Sequence, residues 1–324
     1  MARKFIRSSE PLIAPNFSQE DVLFYKWLAG FLDGDGYFAF YEKEQQPSLR
    51  IKQASWNIHL VELLKKKFGG YLGRASKSEK SNTHEYCLTK KDCLVELLHG
   101  VNGYIRATSR TIQYKKLCDF FNIIYIEPKN LSQADDPYFS GMFDADGSIF
   151  LGNTDGKNWK LRLSMTSKYN KDIQMYKEIF GGTIASKSDE SYYEWRISAE
   201  TDVLSAHKHF VQSLRSNKLI RFKLVPLLYE LRTKRAYEPN SPLFKEWQSL
   251  IETWYDNGAD IYRKDCKGRP YTQGARDLRA AKDTQEAQDL KAAKKKFKED
   301  LEDTVDKIIT NAGKSKTQIN LVKQ

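Results

Sequence analysis

WLAGFLDGDGYFAF, residues 27–40, returns in altered form as YFSGMFDADGSIFL, residues 138–151, with Asp35 and Asp146 standing 111 positions apart. The likeness continues outward in the same order. LRIKQAS at 49–55 is answered by LRLSMTS at 161–167, and KKKFGGYL at 65–72 by YKEIFGGTI at 176–184. SKSE at 76–79 pairs with SKSD at 186–189, and RTIQYKKL at 110–117 with KLIRFKLV at 218–225. Matches in one order at nearly constant spacing mark an internal repeat. The reading is two copies of one domain, 1–124 and 137–257, a polar linker at 125–136, and a tail at 258–324.

Each copy spells the same elements. Ser18 with Asp21 makes a capping box before VLFYKWLAGFL, and Asp135 or Asp136 followed by Pro137 starts the matching helix. Alternating segments then read as strands: YFAFYEK and SLRIKQ in copy one, SIFLG and KLRLSM in copy two. IHLVELLKKKF and KDIQMYKEIF read as helices, each closed by Gly-Gly. Two more strands follow, near Tyr71–Ala75 and Glu85–Thr89, and near Thr183–Ser186 and Tyr193–Ser198, and one or two helices end each copy. The fold class is therefore α+β, an αββαββα unit repeated about a pseudo-twofold axis, with a C-terminal helical extension.

Among 324 residues, 53 Lys and Arg outnumber 42 Asp and Glu, a net charge of +11 that favours an anionic partner, nucleic acid foremost. No apolar run approaches the ~18 residues of a membrane span, and MARKFIRSSEPLIAPNF lacks an apolar signal core. Cys87, Cys93, Cys118 and Cys266 form no CxxC or zinc spacing, which suits reduced thiols in an intracellular protein. His207 and His209, two apart, would face different sides of a helix.

The first helix of each copy ends on small residues, Ala29-Gly30 and Ser140-Gly141, which let two helix backbones approach closely. If the copies pair through them, Asp35 and Asp146 arrive side by side. Two such carboxylates repel unless a cation lies between them, and hard oxygen ligands suit Mg²⁺. A divalent metal between paired carboxylates and a phosphate can activate water and stabilise a leaving oxygen. Phosphodiester hydrolysis, with one aspartate per strand, is the implied chemistry. Asp33 and Asp144 are assigned a structural role at the helix ends.

LAGFLDGDG at 28–36 and FSGMFDADG at 139–147 resemble the LAGLIDADG motif of homing endonucleases, in its single-chain, two-motif form. The second departs from the pattern at Phe139 and Ser140. The resemblance spans roughly Ser18 to Asn257. It implies that the two four-stranded sheets saddle a DNA major groove. It implies Mg²⁺ as cofactor, held by Asp35 and Asp146 with the carbonyls of Gly34 and Ala145. Both strands of a long asymmetric site would be cut across the minor groove, leaving short 3′ overhangs, by a monomer. A polar residue near the catalytic water would be Gln53, with Met165 standing at its place in copy two. Arg110 and Lys218 would be the basic residues near the scissile phosphates.

Counting every second residue from Asp35 puts Tyr37, Ala39, Tyr41 and Lys43 on one sheet face, and from Asp146 Ser148, Phe150, Gly152 and Thr154. The second strands add Arg50 and Lys52, then Arg162 and Ser164. Later strands add Arg74, Lys77 and Glu85, then Lys187, Glu194 and Arg196. Phe38, Phe40, Leu49 and Ile51 form the core face.

SPLFKEWQSLIETWYDN at 241–257 reads as a helix with Ser241 as N-cap and Leu243, Trp247, Leu250 and Trp254 on one stripe. Beyond it the tail is Lys-rich, with a helical stripe of Leu290, Phe297, Leu301, Val305 and Ile308. That tail suits a second reading, an RNA-binding protein on the same scaffold such as an intron maturase. The resemblance also implies an intron gene in an organelle, mitochondrion or chloroplast.

Overall fold

α1 (Gln19–Asp35) starts at the expected box: Ser18 Oγ accepts the Asp21 amide at 3.1 Å, and Asp21 Oδ2 accepts the Ser18 amide at 3.4 Å. It ends where Gly36 takes extended backbone and the chain runs straight into β1 (Gly36–Tyr41). α5 (Pro137–Asp146) repeats this. Asp136, rather than Asp135, is its N-cap, accepting the Tyr138 amide at 3.0 Å, and Gly147 opens β5 (Gly147–Asn153). The computed structural model describes residues 15–41, 46–75, 82–153, 159–187 and 192–256.

Copy one continues through β2 (Gln46–Ala54), α2 (Ile58–Phe68), β3 (Tyr71–Arg74), β4 (Thr83–Leu88), α3 (Lys91–Val101) and α4 (Thr108–Phe121). Copy two continues through β6 (Trp159–Ser167), α6 (Asn170–Phe180), β7 (Thr183–Lys187), β8 (Tyr192–Ile197), α7 (Glu200–Ser213) and α8 (Lys218–Thr233). Each copy forms an antiparallel four-stranded sheet, ordered β1-β2-β4-β3 and β5-β6-β8-β7. One face of each is apolar: Phe38, Leu49, Ile51, Tyr86 and Leu88 in copy one, Ile149, Leu151, Leu161, Leu163, Trp195 and Ile197 in copy two, all buried.

The sheets fix which residues correspond. Tyr86 Oη donates to the Gly69 carbonyl at 3.0 Å, and Trp195 Nε1 to the Gly181 carbonyl at 2.8 Å, so these two are counterparts. Tyr86 pairs with Ile51, and Trp195 with Met165. Met165 is thus the counterpart of Ile51, and Ser167 that of Gln53. The alignment of LRIKQAS with LRLSMTS slips by two residues in space. A slip of two preserves side-chain alternation, which is why the face assignment survives it.

One compact unit runs over Met1–Phe222 and holds both sheets; a second, Lys223–Gln324, begins inside α8. The copies share a unit because α1 and α5 pack against each other along their length. In the second unit, α9 (Phe244–Asp256) begins two residues later than Pro242. Ser241 Oγ accepts the Leu243 amide at 3.3 Å, and Trp247, Leu250 and Trp254 are buried. The stripe from Leu290 to Ile308 and Cys266 lie outside the described residues. Cys87, Cys93 and Cys118 are free thiols. Among the described residues no helix is long and apolar enough to cross a membrane.

Candidate active site

The α1–α5 contact is built from reciprocal pairs. A Cβ on Gly30 would collide with the Tyr138 carbonyl oxygen, and one on Gly141 with that of Trp27. Trp27 Nε1 donates to Asp144 Oδ2 at 2.8 Å, and Tyr138 Oη donates to Asp33 Oδ2 at 2.6 Å. Residue i meets j and j meets i, as across a true twofold axis. The same buried acids catch the chain ahead of the next helices. Asp33 Oδ2 accepts the amides of Arg106 (2.8 Å) and Ala107 (3.0 Å), before α4. Asp144 accepts those of Arg215 (2.8 Å) and Ser216 (2.9 Å), before α8. Burial pushes the Asp33 carboxyl up to about 7 against these hydrogen bonds, led by that from Tyr138. Asp33 and Asp144 are structural, as expected.

Two residues on, the acids turn outward. Asp35 is half-buried and Asp146 opens to solvent. They converge: a Cβ on Gly34 would lie 3.0 Å from Asp146 Oδ2. Burial first, then the negative charge of Asp146, push Asp35 up to about 7, opposed by Lys218, the Gln53 hydrogen bond and Arg110. Asp146 is also raised, because the protein packed around its exposed carboxyl impairs solvation of the charge; Lys218 and Arg110 oppose the shift. Gln53 Nε2 donates to Asp35 Oδ2, so the end of β2 touches the acid. Met165 is fully buried in the core, its place on β6 being that of Ile51.

Arg110 and Lys218 cap the carbonyls at the two helix ends. Arg110 Nε donates to Leu32 O at 3.2 Å and Nη2 to Gly34 O at 3.0 Å. Lys218 Nζ donates to Phe143 O (2.8 Å), Asp144 O (2.7 Å) and Ala145 O (3.2 Å). Positive charge at a helix C-terminus is favourable, and here it also reaches both acids. Burial lowers the Lys218 pKa, and the charges of Asp144, Asp35 and Asp146 oppose that.

The donor set suits a hard divalent cation. It offers two converging carboxylates and backbone carbonyls of Gly34 and Ala145, although Arg110 and Lys218 already bond to those carbonyls. Among the described residues no group of three His, Cys, Asp or Glu could hold a metal by itself. Mg²⁺ is commonly bound through one or two carboxylates plus substrate phosphates and water, which this arrangement fits.

The open sheet faces carry most of the expected readers. Tyr37, Arg50, Cys87 and Tyr71 form one cross-strand row, and Lys52, Glu85 and Gly73 another. Tyr37, Tyr41 and Tyr71 are 48%, 46% and 69% exposed. Arg50 lies 3.9 Å from Glu85 and 5.9 Å over the Tyr41 ring. In copy two Ser148, Ser164, Arg196 and Thr183 share a row, and Phe150 pairs with Arg162, which stacks 5.3 Å over its ring. Four residues depart from expectation, the first being Glu194, which stands in the open row opposite Thr166 but is buried. Arg74 pairs with His84, itself opposite Gln53, which sets it on the alternate face. Ser164 is in the open row but buried, a short side chain between Ser148 and Arg196. Ala39 is likewise buried. Lys43, Lys77 and Thr154 lie outside the described residues, and Lys187 is described by its backbone alone, paired with Tyr192. Tyr71 and Lys160 were missed: Lys160 lies one alternation before Arg162 on β6, and Tyr71 shares the face of Gly73, opposite in parity to Arg74.

The model of the LAGLIDADG endonuclease family matches residues 28–121 and 139–229, and the chain belongs to that family. The intron-encoded RNA maturase bI4 of Saccharomyces cerevisiae is 32% identical over 249 residues, 74% of this chain and 38% of the relative. The probable intron-encoded endonuclease aI2 of Debaryomyces hansenii is 28% identical over 254 residues, 71% of this chain and 37% of its own. The intron-encoded DNA endonuclease ai2b of Dictyostelium discoideum is 30% identical over 235 residues, 70% of this chain and 88% of its own. The chain thus spans under two fifths of the first two relatives. Among solved structures, the LAGLIDADG homing endonuclease I-GzeII in complex with a DNA target superposes with a TM-score of 0.53 at 13% identity, over 74% of this chain and 99% of that one. The LAGLIDADG meganuclease I-AabMI bound to uncleaved DNA gives 0.51 at 16%, over 72% and 98%. These likenesses show the two-sheet fold.

Proposed function

We propose that the chain is a site-specific, Mg²⁺-dependent double-strand DNA endonuclease that recognises a long asymmetric site as a monomer. The observation that carries this is the delivery of Asp35 and Asp146 to one point by reciprocal α1–α5 packing. One chain supplies both half-sites through copies 1–124 and 137–257, joined by the linker 125–136, so no second chain is required. Tyr37, Tyr41, Arg50, Lys52, Arg162 and Arg196 would meet the duplex, Arg and Lys at phosphates or guanine edges. Mg²⁺ bound by Asp35 and Asp146 supplies Lewis-acid stabilisation of phosphoryl oxygens and acidifies water. Gln53 orients the Asp35 carboxylate. Arg110 and Lys218 moderate the repulsion between the acids and stand ready for charge developing at the phosphates. Intron-encoded relatives support an organelle intron as the origin of the gene.

The test is Asp35→Asn with Asp146→Asn, assayed on a duplex selected from random DNA. Cleavage should vanish while binding persists, because the charge is removed and the sheet faces are untouched. Full cleavage by the double variant would remove the assignment. A second reading, assistance to a structured RNA, is favoured by the maturase relative. RNA binding that survives in the double variant, with no duplex cut by the wild type, would establish it instead.

A further inference from the structure

Beside Asp146 lies a cleft of about 500 Å³ bordered by Asp33, Ser109, Asp146, Thr166, Ser167 and Asp172. Its position follows from the register of β6. Gln53 extends from the end of β2 to the Asp35 carboxylate. Its counterpart Ser167 has a side chain two atoms shorter in reach. The Ser167 hydroxyl turns to its own neighbourhood, 3.3 Å from Asp172 Oδ2 and 3.2 Å from the Tyr169 amide it accepts. Among the described residues no side chain donates a hydrogen bond to Asp146. In the same cleft, Asp33 Oδ1 is buried without a hydrogen-bond partner. A buried carboxyl oxygen without a partner, on a residue that borders a polar space of this size, calls for a donor, and water fits.

We propose that Ser167 is the copy-two counterpart of Gln53, and that Asp146 is oriented by water in this cleft rather than by an amide, so the two strands are cut at unequal rates. The inference rests on the endonuclease reading. Asp35, held by Gln53, is preorganised; Asp146 must recruit its partners, and loose positioning of a reacting group is costly in rate. The Asp35 side therefore nicks first. Ser167 is a positioning residue by omission, and Gln53 one by contact.

Strand-specific labels on a selected duplex read the two nicks separately. One strand should lead in the wild type, by on the order of tenfold. Gln53→Ser should slow the leading nick and spare the trailing one. Ser167→Gln should hasten the trailing nick and spare the leading one; Ser167→Asn is the smaller substitute if the glutamine prevents folding. Effects of both variants on one strand, equal effects on both strands, or no lead in the wild type would overturn the proposal while leaving the endonuclease reading intact. A second readout needs neither DNA nor metal. In the metal-free full chain the Gln53 side-chain amide protons should exchange slowly with solvent, and Ser167→Gln should add a second protected amide. Rapid exchange of both would overturn the proposal. A wild type that cuts no selected duplex would overturn the endonuclease reading, and the amide measurement would still decide the geometry.

Discussion

The inner acids, Asp33 and Asp144, and the outer acids, Asp35 and Asp146, lie two residues apart in the same motif yet obey different rules. The inner pair is symmetric: each is buried, each accepts one aromatic donor from the opposite copy, and each catches two amides before the following helix. The outer pair is not: Gln53 bonds Asp35, while a cleft opens beside Asp146. Packing between two helices tolerates change poorly, because a substitution on one side must fit unchanged atoms on the other. A solvent-facing acid carries no such constraint. The inner acids therefore keep matching partners in both copies, while the surroundings of the outer acids differ.

The largest blow to the symmetric frame is Gly141→Val. Its Cβ alone would collide with the Trp27 carbonyl oxygen, a backbone atom with no flexible end to move. Overpacking commonly costs ~1–3 kcal/mol, and a backbone collision belongs at or above the top of that range. Thermal melting should show a large loss, and Gly30→Val a comparable one. Two mild variants would break the claim that this contact joins the copies.

Next comes a place where the frame itself differs. α3 buries Leu94, Leu97, Leu98 and Val101, and α7 buries Val203, Ala206, His207 and Phe210 at the matching positions. Burial drives His207 down to about 4, opposed by a hydrogen bond to the Phe222 backbone and aided by Lys208. Its Nε2 has no partner. Between pH ~6.5 and ~4 the unfolded chain binds a proton that the folded one refuses, so stability rises with pH across that window and is lost as pH falls. At ~1.4 kcal/mol per unit the loss approaches ~3 kcal/mol. Asp33, raised by burial, slopes the opposite way over part of the same range. The useful measurement is therefore the difference in stability between wild type and His207→Leu against pH. A flat difference profile would mean that His207 takes up its proton as readily in the fold as in the unfolded chain.

The repeat, the helix pair and the outer acids were legible in the sequence because they rest on local signals: glycine at a close approach, proline at a helix start, alternation in strands. Other features were not. Asp172 accepts the Thr108 amide at 3.1 Å and the Thr108 hydroxyl at 2.6 Å, joining α6 of one copy to α4 of the other. Nothing in the neighbourhood of either residue announces a partner 64 positions away. The slip at LRLSMTS was hidden by the period of the strand, since residues two apart share a face and leucine stands at both 161 and 163. Arg74 was misplaced because its strand is short, and one residue decides its side.

Smaller than His207→Leu in reach, Tyr138→Phe tests the reciprocity directly. It leaves the Asp33 carboxyl short of a 2.6 Å donor in a buried site. Losing a hydrogen bond to a charged or buried group costs ~1.5–3 kcal/mol. Trp27→Phe removes the matching donor to Asp144 and also some ring volume, so it should cost at least as much. A negligible effect of Tyr138→Phe in chemical denaturation would show that Asp33 is satisfied by the Arg106 and Ala107 amides alone.

The smallest expected effect compares the two helix starts. Ser18 caps α1 from an exposed position, and losing an N-cap side chain costs typically ~1 kcal/mol. Asp136 caps α5 and also holds Lys26 Nζ at 2.6 Å, a bridge from the start of the second motif helix back to the first. Asp136→Ala should therefore cost more than Ser18→Ala, because it removes a cap and an ion pair that is largely shielded on the acid's side. Both variants should leave duplex binding unchanged, since the caps sit at the far ends of helices whose C-termini carry the outer acids. If Ser18→Ala proved the costlier, the Lys26–Asp136 pair would contribute nothing to the contact between the copies. The symmetric frame would then reside in the glycines and the inner acids alone.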